Sequence, residues 1–239
     1  MNRIAKVFHY MIHETIRPVI IFYAVMVLIN IAGVTMNLVM TNWNFEFNGM
    51  RLATAIFLFV AGLNAFKPGY LFMQANGVTR RQFYLGGLMT IGAVAVALTV
   101  FDTALYGLLQ LILQPEQMVA IQLYPNAAYA GLQLWTLAFN LLSIAFGWFL
   151  TMLYYRMSKG WKIAVSLSPA VFFTVLPIIS SATGGTLLSR LAEAFMAVMG
   201  LGANPNVWLG MLTLLLVSSV CVVLSYLLVR RAQIKEQDR

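Results

Sequence analysis

Charged residues are scarce in this chain. Only 9% of its 239 residues are Asp, Glu, Lys or Arg, and 61% are hydrophobic, whereas a soluble domain carries about 25% charged residues. A single soluble core of this size cannot bury so much apolar side chain, so lipid must cover the surplus. The composition therefore excludes an ordinary soluble domain and predicts an integral membrane protein.

Several chemical motifs are also absent. Cys221 is the single cysteine and lies in an apolar run, so no internal disulfide can form and the redox compartment cannot be inferred. The sequence has no GxxxxGK[ST] phosphate-binding loop, no HExxH metal motif and no GxSxG nucleophile motif. We therefore expect no catalytic residues, no metal site and no nucleotide bound by this chain. Residues 1–17 lack the continuous apolar core of a cleavable signal peptide.

What the sequence does have is long apolar runs. About 20 apolar residues let a helix cross the hydrocarbon, whereas membrane barrel strands alternate over about 10 residues. These runs are longer and apolar on every face, so they predict an all-α membrane protein with six transmembrane helices. The predicted spans are 18–41, 50–74, 87–113, 127–154, 161–181 and 207–229.

The net charge of +8 is distributed in a way that predicts orientation, not nucleic-acid binding. If the six spans cross the membrane in turn, the Lys and Arg residues at or beyond their ends are divided very unequally between its two sides. One side has only Arg51 and Arg190, the other is much richer in Lys and Arg, and Lys67 lies within the second span. By the positive-inside rule, the richer side is cytoplasmic, so we expect a multi-pass protein of the inner or plasma membrane with both termini and the tail 231–239 in the cytosol. The richer side carries Arg3, Lys6, Arg17, Arg80, Arg81, Arg156, Lys159, Lys162, Arg230, Arg231, Lys235 and Arg239.

The first seventeen residues are amphipathic. Apolar residues recur at the spacing of one helical face, and charged residues occupy the other. This pattern predicts a helix over 1–17 that lies in the membrane surface, with its cations toward anionic lipid, and Pro18 is expected to begin the first span. His9 and His13 are one turn apart but have no evident third ligand, so we interpret them as part of a solvated face. The apolar face comprises Ile4, Val7, Phe8, Met11, Ile12 and Thr15, and the polar face includes Arg3, Lys6 and Arg17.

The segment between the second and third spans is short and basic. Lys67-Pro68-Gly69 predicts a kink in the second span. Asn76-Gly77 predicts a turn, and Thr79 is a candidate N-cap for a short surface helix over 80–84 that Gly86-Gly87 would end. The cations and aromatics of such a helix would be available to a partner. The alternative is that the arginines only set topology and that Phe83 and Tyr84 belong to the interfacial aromatic belt.

Asp102 lies within the third span, past its midpoint. Inserting a carboxylate at a helix centre costs about 2.5–3.5 kcal/mol, so its side chain must face protein or water. Asp102 is a candidate for the dimer interface or the substrate path, and Lys67 is a second candidate for the substrate path. The alternative for Asp102 is a local hydrogen bond to Thr99, Thr103 or Tyr106.

Taken together, these features resemble the permease subunit of ABC-2-type transporters. The resemblance rests on the basic amphipathic N-terminus, the six spans, an NG-[VI]-[ST]-R-x-x-[FY] element at 76–83, and the junction LYYRMSKGWK at 153–162, which is similar to small permeases of Gram-positive bacteria. It implies that the loop between spans two and three is a coupling helix that docks on a separate ATPase subunit, which would bind ATP and Mg²⁺. That role falls on Gly77, Val78, Thr79, Arg80, Arg81, Phe83 and Tyr84, and the connecting-helix role on Arg3, Lys6, Phe8, Met11 and Arg17.

The same resemblance implies a re-entrant hairpin on the outer side, before the last span. Residues 182–206 contain a helical apolar stripe between Gly184-Gly185 and Gly200-Leu201-Gly202, where the chain can turn. A helix lying on the outer surface fits these residues equally well. The expected organisation is thus a connecting helix at 1–17, a six-helix domain at 18–230 and a tail at 231–239.

The function that follows is an exporter subunit for an apolar or amphipathic substrate such as a peptide, lipid or drug. Its expected partners are the ATPase, a second permease of the same or a different kind, and membrane lipid. Two alternatives remain open at this point. One is the solute-binding membrane component of an energy-coupling-factor importer, and the other is an immunity protein that sequesters a toxic peptide.

Overall fold

The computed structural model describes residues 3–39, 50–65, 67–110, 119–182, 186–202 and 204–230. Within these ranges the chain forms nine helices and no strand. Five of the described helices, α1, α4, α6, α7 and α9, are long and apolar enough to cross a membrane, which supports a helical membrane protein, whereas six spans were predicted. The helices are α1 (Arg3–Val39), α2 (Met50–Asn64), α3 (Lys67–Ala75), α4 (Arg80–Gln110), α5 (Val119–Leu123), α6 (Tyr129–Arg156), α7 (Lys159–Ala182), α8 (Thr186–Val198) and α9 (Val207–Arg230).

The helices pack as two halves. In the first half, α1 and α4 run parallel. Val7 of α1 packs on Gly86 near the start of α4, and Tyr23, further along α1, donates a hydrogen bond to Asp102, further along α4. In the second half, α2 and α9 both run parallel to α6: Arg51 contacts Gln133 at the start of α6, and Val207 of α9 approaches Gly131. We call these the α1–α4 half and the α2–α6–α9 half.

The two halves meet along a seam where α4 and α6 run antiparallel. At one end of the seam Thr103 donates to the Gln133 side chain, and further along the Asn140 amide donates to Thr99. At the other end Gly87 lies against the indole of Trp148. The polar contacts and the aromatic contact thus mark opposite ends of one interface.

The first helix differs from its prediction. We expected an interfacial helix over 1–17 and a new span from Pro18, but α1 is continuous from Arg3 to Val39 with Pro18 inside it. Buried side chains on both sides of the proline, Met11 and Tyr23, pack into the same core and hold the helix together despite the missing backbone donor. The predicted division into an apolar and a polar face is confirmed, and the apolar face packs against α4.

The predicted second span is divided into two helices. α2 ends at Asn64 and α3 begins at Lys67, so the expected kink is a full break just before Pro68. Proline is tolerated in the first turn of a helix, where its missing N–H has no intrahelical acceptor. At 15 residues, α2 alone is shorter than the other candidate spans.

The predicted short helix over 80–84 does not end at Gly86-Gly87, contrary to our expectation. α4 continues from Arg80 to Gln110, and neither Gly86 nor Gly87 has a positive φ. A Cβ on Gly86 would lie 2.7 Å from side-chain atoms of Val7, and one on Gly87 would lie 2.9 Å from Trp148. These glycines therefore permit close helix packing and do not turn the chain.

The region before the last helix contains α8, which at 13 residues is too short to cross the hydrocarbon. The predicted turn after it is confirmed, since Gly200 has φ +67° and the Leu201 N–H bonds the Met196 carbonyl. The Tyr124 hydroxyl donates to the carbonyl of Met199, which attaches this turn to the loop between α5 and α6. Residues 183–185, with the other predicted glycine turn, lie outside the described ranges, as does the tail 231–239.

Candidate functional site

The turn between α3 and α4 is built by two local motifs. Gly77 has φ +73°, and the N–H groups of Gly77 and Val78 bond the carbonyls of Gln74 and Met73, which is the Schellman pattern of a helix end. Thr79 then caps α4: its Oγ1 accepts from the Gln82 N–H at 3.3 Å, and the Gln82 side chain accepts from the Thr79 N–H at 3.1 Å. The predicted turn and N-cap are both confirmed.

Two other chain segments contact this turn and the start of α4, a third contacts α3, and together they form what we call the basic end of the bundle. The Arg3 guanidinium donates to the Gly77 carbonyl at 2.6 Å, so the N-terminus of α1 contacts the turn. Arg80 donates to the carbonyl of Arg230 at 3.2 Å, where a cation is favourable beside the C-terminus of α9. The end of α6 approaches through Tyr155, whose ring lies 6.2 Å from that of Tyr70 in α3.

The two aromatics expected at the surface of this segment are buried. Phe83 is 0% and Tyr84 is 4% exposed. Tyr84 stacks on Trp148 at 5.0 Å, and its hydroxyl donates to the carbonyl of Val222 in α9. The prediction that both rings are available to a partner is wrong, because the start of α4 lies inside the bundle and not across its surface.

What the basic end does expose lies mainly on the turn and on neighbouring faces of α1 and α3. Gly77, Thr79 and Arg81 are exposed, whereas Val78 and Arg80 are half-buried. Phe72 of α3 is 53% exposed and stacks on Tyr10 of α1 at 5.3 Å. Among the residues predicted for the connecting helix, Arg3, Lys6 and Arg17 are exposed, Phe8 is half-buried and Met11 is buried.

A second candidate site surrounds Asp102, which is 2% exposed. Its Oδ1 accepts a 2.6 Å hydrogen bond from the Tyr23 hydroxyl of α1, and Thr54 of α2 lies beside it. Of the three local partners considered from the sequence, Thr99 and Thr103 instead donate to backbone carbonyls one turn earlier in α4. Within the described residues, the Oδ2 of Asp102 accepts no hydrogen bond.

The side chain of Arg51 in α2 extends into the interior of the bundle near Asp102. Its Nη1 donates to Gln133 at 3.2 Å and to Thr136 at 3.4 Å, and its guanidinium carbon lies 5.0 Å from the centre of the Tyr106 ring. Its Nε and Nη2 are buried without a hydrogen-bond partner in the described part of the chain, as is the Nε2 of Gln133. Arg51, Tyr23 and Gln133 were not predicted as site residues. Arg51 is the second residue of the predicted span 50–74 and was counted only as a charge on the less basic side, and the sequence does not reveal which faces of the helices meet.

The remaining predicted residues give no further site. Lys67 is the first residue of α3, and its side chain lies outside the described part of the structure. His9 and His13 are exposed, and no group of three His, Cys, Asp or Glu side chains comes together within the described ranges. Comparison of the chain with protein-family models, curated proteins and solved structures finds no match.

Proposed function

We propose that this chain is the transmembrane permease subunit of a two-component ABC exporter. A separate ATPase subunit would bind at the basic end and supply the energy of ATP hydrolysis. The observation that carries the proposal is the convergence of the α3–α4 turn, the N-terminus of α1 and the end of α9 at one end of the bundle. A partner that moves this turn would thereby act on four helices at once: α3 and α4, which the turn joins, and α1 and α9, which are bonded to it.

The docking surface proposed here differs from the one that the sequence predicts. Because Phe83 and Tyr84 are buried, they fix the turn to the bundle, and the contact with the ATPase falls on Gly77, Thr79 and Arg81. The exposed Phe72 adds an apolar contact, and the positive charge favours an acidic groove on the partner. Buried anchors under an exposed turn allow a push on the turn to reach the helices.

The polar face of α1 also supports a partner at this end. Tyr23 of α1 bonds Asp102 of α4, so a residue of α1 lies at the level of the residue 79 positions later in α4. His13 and Arg17, both exposed, are therefore at the level of the exposed apolar surface of α4 that includes Met89 and Val96. Charged and apolar surfaces at one depth cannot both face lipid without cost. A protein surface against the polar face of α1 removes the conflict.

A second permease copy, of the same or another kind, is the other partner we propose. In the apolar 18-residue stretch of each helix, only 6% of the residues of α7 and 17% of those of α1 are buried, whereas 56% of those of α4 are buried. Both helices therefore have apolar faces free for a neighbouring subunit. A path for an apolar or amphipathic substrate would lie between two such subunits, opened when the ATPases close.

The test is affinity purification from native membranes in mild detergent, with the ATPase partner identified by mass spectrometry. Wild-type chain should bring down a protein with a phosphate-binding loop, and Arg81→Glu should reduce its recovery at least tenfold. Arg190→Glu is the matched control, since it changes the same charge on the exposed surface of α8 at the opposite end. Recovery of no ATPase with wild-type chain, or equal recovery with Arg81→Glu, would contradict the proposal. Arg80 is unsuitable because it also holds the end of α9.

One observation favours a different candidate, the solute-binding component of an energy-coupling-factor importer. The unpartnered polar atoms of Arg51, Asp102 and Gln133 are the kind of groups that a polar solute engages. Such a component binds its solute tightly without an ATPase. Titration calorimetry of the purified chain with small polar solutes separates the two candidates, because an exporter permease should show no tight binding in this assay.

A further inference from the structure

The seam between the two halves is constructed differently at its two ends. At the basic end it is closed by packing: Tyr84 stacks on Trp148 at an interplanar angle of 20°, and Gly87 admits the same indole ring. At the opposite end it is joined by single polar contacts, Thr103 to Gln133 at 2.8 Å and Asn140 to Thr99 at 2.9 Å. If the halves move, we therefore expect the packed end to act as the pivot and the polar end to separate.

Among the described residues, each half carries a charge toward the polar end of the seam, and the two charges have opposite signs. Asp102 belongs to the α1–α4 half, where Tyr23 holds one of its carboxylate oxygens. Arg51 belongs to the α2–α6–α9 half, where Gln133 and Thr136 hold one of its nitrogens. The remaining carboxylate oxygen and the other two guanidinium nitrogens are buried and make no hydrogen bond within the described residues.

The charged groups are close enough to reach each other through a small movement. The Arg51 guanidinium lies over the Tyr106 ring, and Tyr106 follows Asp102 by one helical turn on α4. Positions four residues apart are neighbours on one face of a helix and are separated by about 6 Å along its axis. A shift of one turn, or a swing of the long arginine side chain, brings the unpaired edge of the guanidinium to the free carboxylate oxygen.

We infer that Arg51 and Asp102 form an ion pair across the seam in a second conformation of the bundle, and that this pair is the latch of a gate at the end opposite the basic end. A buried carboxylate and guanidinium with unsatisfied atoms are unfavourable apart, and an ion pair between them supplies the missing hydrogen bonds. The paired state closes this end of the seam, and the described state is the unlatched one. The latch uses only this chain, so it does not depend on the identity of the partner proposed above.

The experiment measures the distance across the gate by double electron–electron resonance in lipid nanodiscs. Spin labels are placed at Leu108→Cys on α4 and Leu134→Cys on α6, two exposed positions that leave the seam intact, in a Cys221→Ser background. The labelled chain should give two distance populations. Arg51→Gln, Asp102→Asn and the double variant should each lose the same, latched population, whereas the exchanged pair Arg51→Asp with Asp102→Arg should restore it.

Arg190→Gln is the matched control, because it removes an arginine outside the seam, and it should keep both populations. The double variant leaves no unpaired charge, so it is the variant least affected by misfolding. A single distance in the wild-type background would overturn the inference. So would two populations that survive in the double variant, or single variants that lose different populations.

Discussion

Gly62 of α2 and Gly147 of α6 lie at the point where the two helices cross, and each glycine is in contact with the backbone of the opposite helix. A Cβ on Gly62 would overlap the carbonyl oxygen of Ile144, and one on Gly147 would overlap that of Phe59. The Thr151 hydroxyl, one turn further along α6, donates to the carbonyl of Leu63. Small residues allow this backbone approach in lipid, where close packing and interhelical hydrogen bonds drive helix association.

We therefore expect Gly147→Ala to destabilise the bundle, because the obstacle to the new methyl group is backbone and cannot rotate away. Overpacking of this kind costs roughly 1–3 kcal/mol, which corresponds to a fall of about 2–12 °C in the melting temperature of a chain of this size. Thermal unfolding of the detergent-solubilised protein measures it.

The matched control is Gly92→Ala. A Cβ at Gly92 has nothing within 4 Å, and alanine in a helix is favoured over glycine by about 1 kcal/mol. Gly92→Ala should therefore melt at the same temperature as the wild type or slightly higher. Equal melting temperatures for Gly147→Ala and Gly92→Ala would show that α2 and α6 do not cross at these residues.

The capping box at Thr79 gives a second prediction. Thr79→Ala removes the acceptor of the Gln82 N–H, and the loss of an N-cap costs about 0.5–2 kcal/mol. We expect faster amide hydrogen exchange over the first turn of α4, with exchange in α6 unchanged. Thr79→Ser keeps the acceptor and should exchange like the wild type, so similar exchange in the alanine and serine variants would contradict the cap.

These two sites show what the sequence reveals and what it does not. The turn at Gly77 and the cap at Thr79 are local motifs, so their residue types predict them directly. Gly86 and Gly87 were predicted to end a helix, yet they permit helix contacts instead, because the deciding neighbours, Val7 and Trp148, are distant in the sequence.

The intramembrane polar groups illustrate the same limit. Burial of Asp102 follows from its place in an apolar run, but its partner Tyr23 is 79 residues away and belongs to another helix. Hydropathy predicts that a helix exists and not which of its faces meets which neighbour. The break before Lys67 shortens α2 below the length of a span, whereas the apolar run continued through it.

Orientation is a third prediction. In a Cys221→Ser background, Ala75→Cys at the exposed end of α3 should react with a membrane-impermeant maleimide in inverted vesicles and not in intact cells, because the basic end is expected in the cytosol. Arg190→Cys on α8 should show the reverse pattern. Labelling of Ala75→Cys in intact cells would place the basic end outside and remove any access for an ATPase.

The central claim, that the α3–α4 turn is the docking surface of an ATPase, is tested most directly by site-specific photocrosslinking in living cells. A photoreactive amino acid at Ala75, which is exposed at the end of α3 beside the turn, should crosslink this chain to a protein with a phosphate-binding loop, and the same amino acid at Arg190 should not. If the probe at Ala75 captures only lipid, or captures no such ATPase while the probe is demonstrably incorporated, the account of this chain as an exporter permease is contradicted.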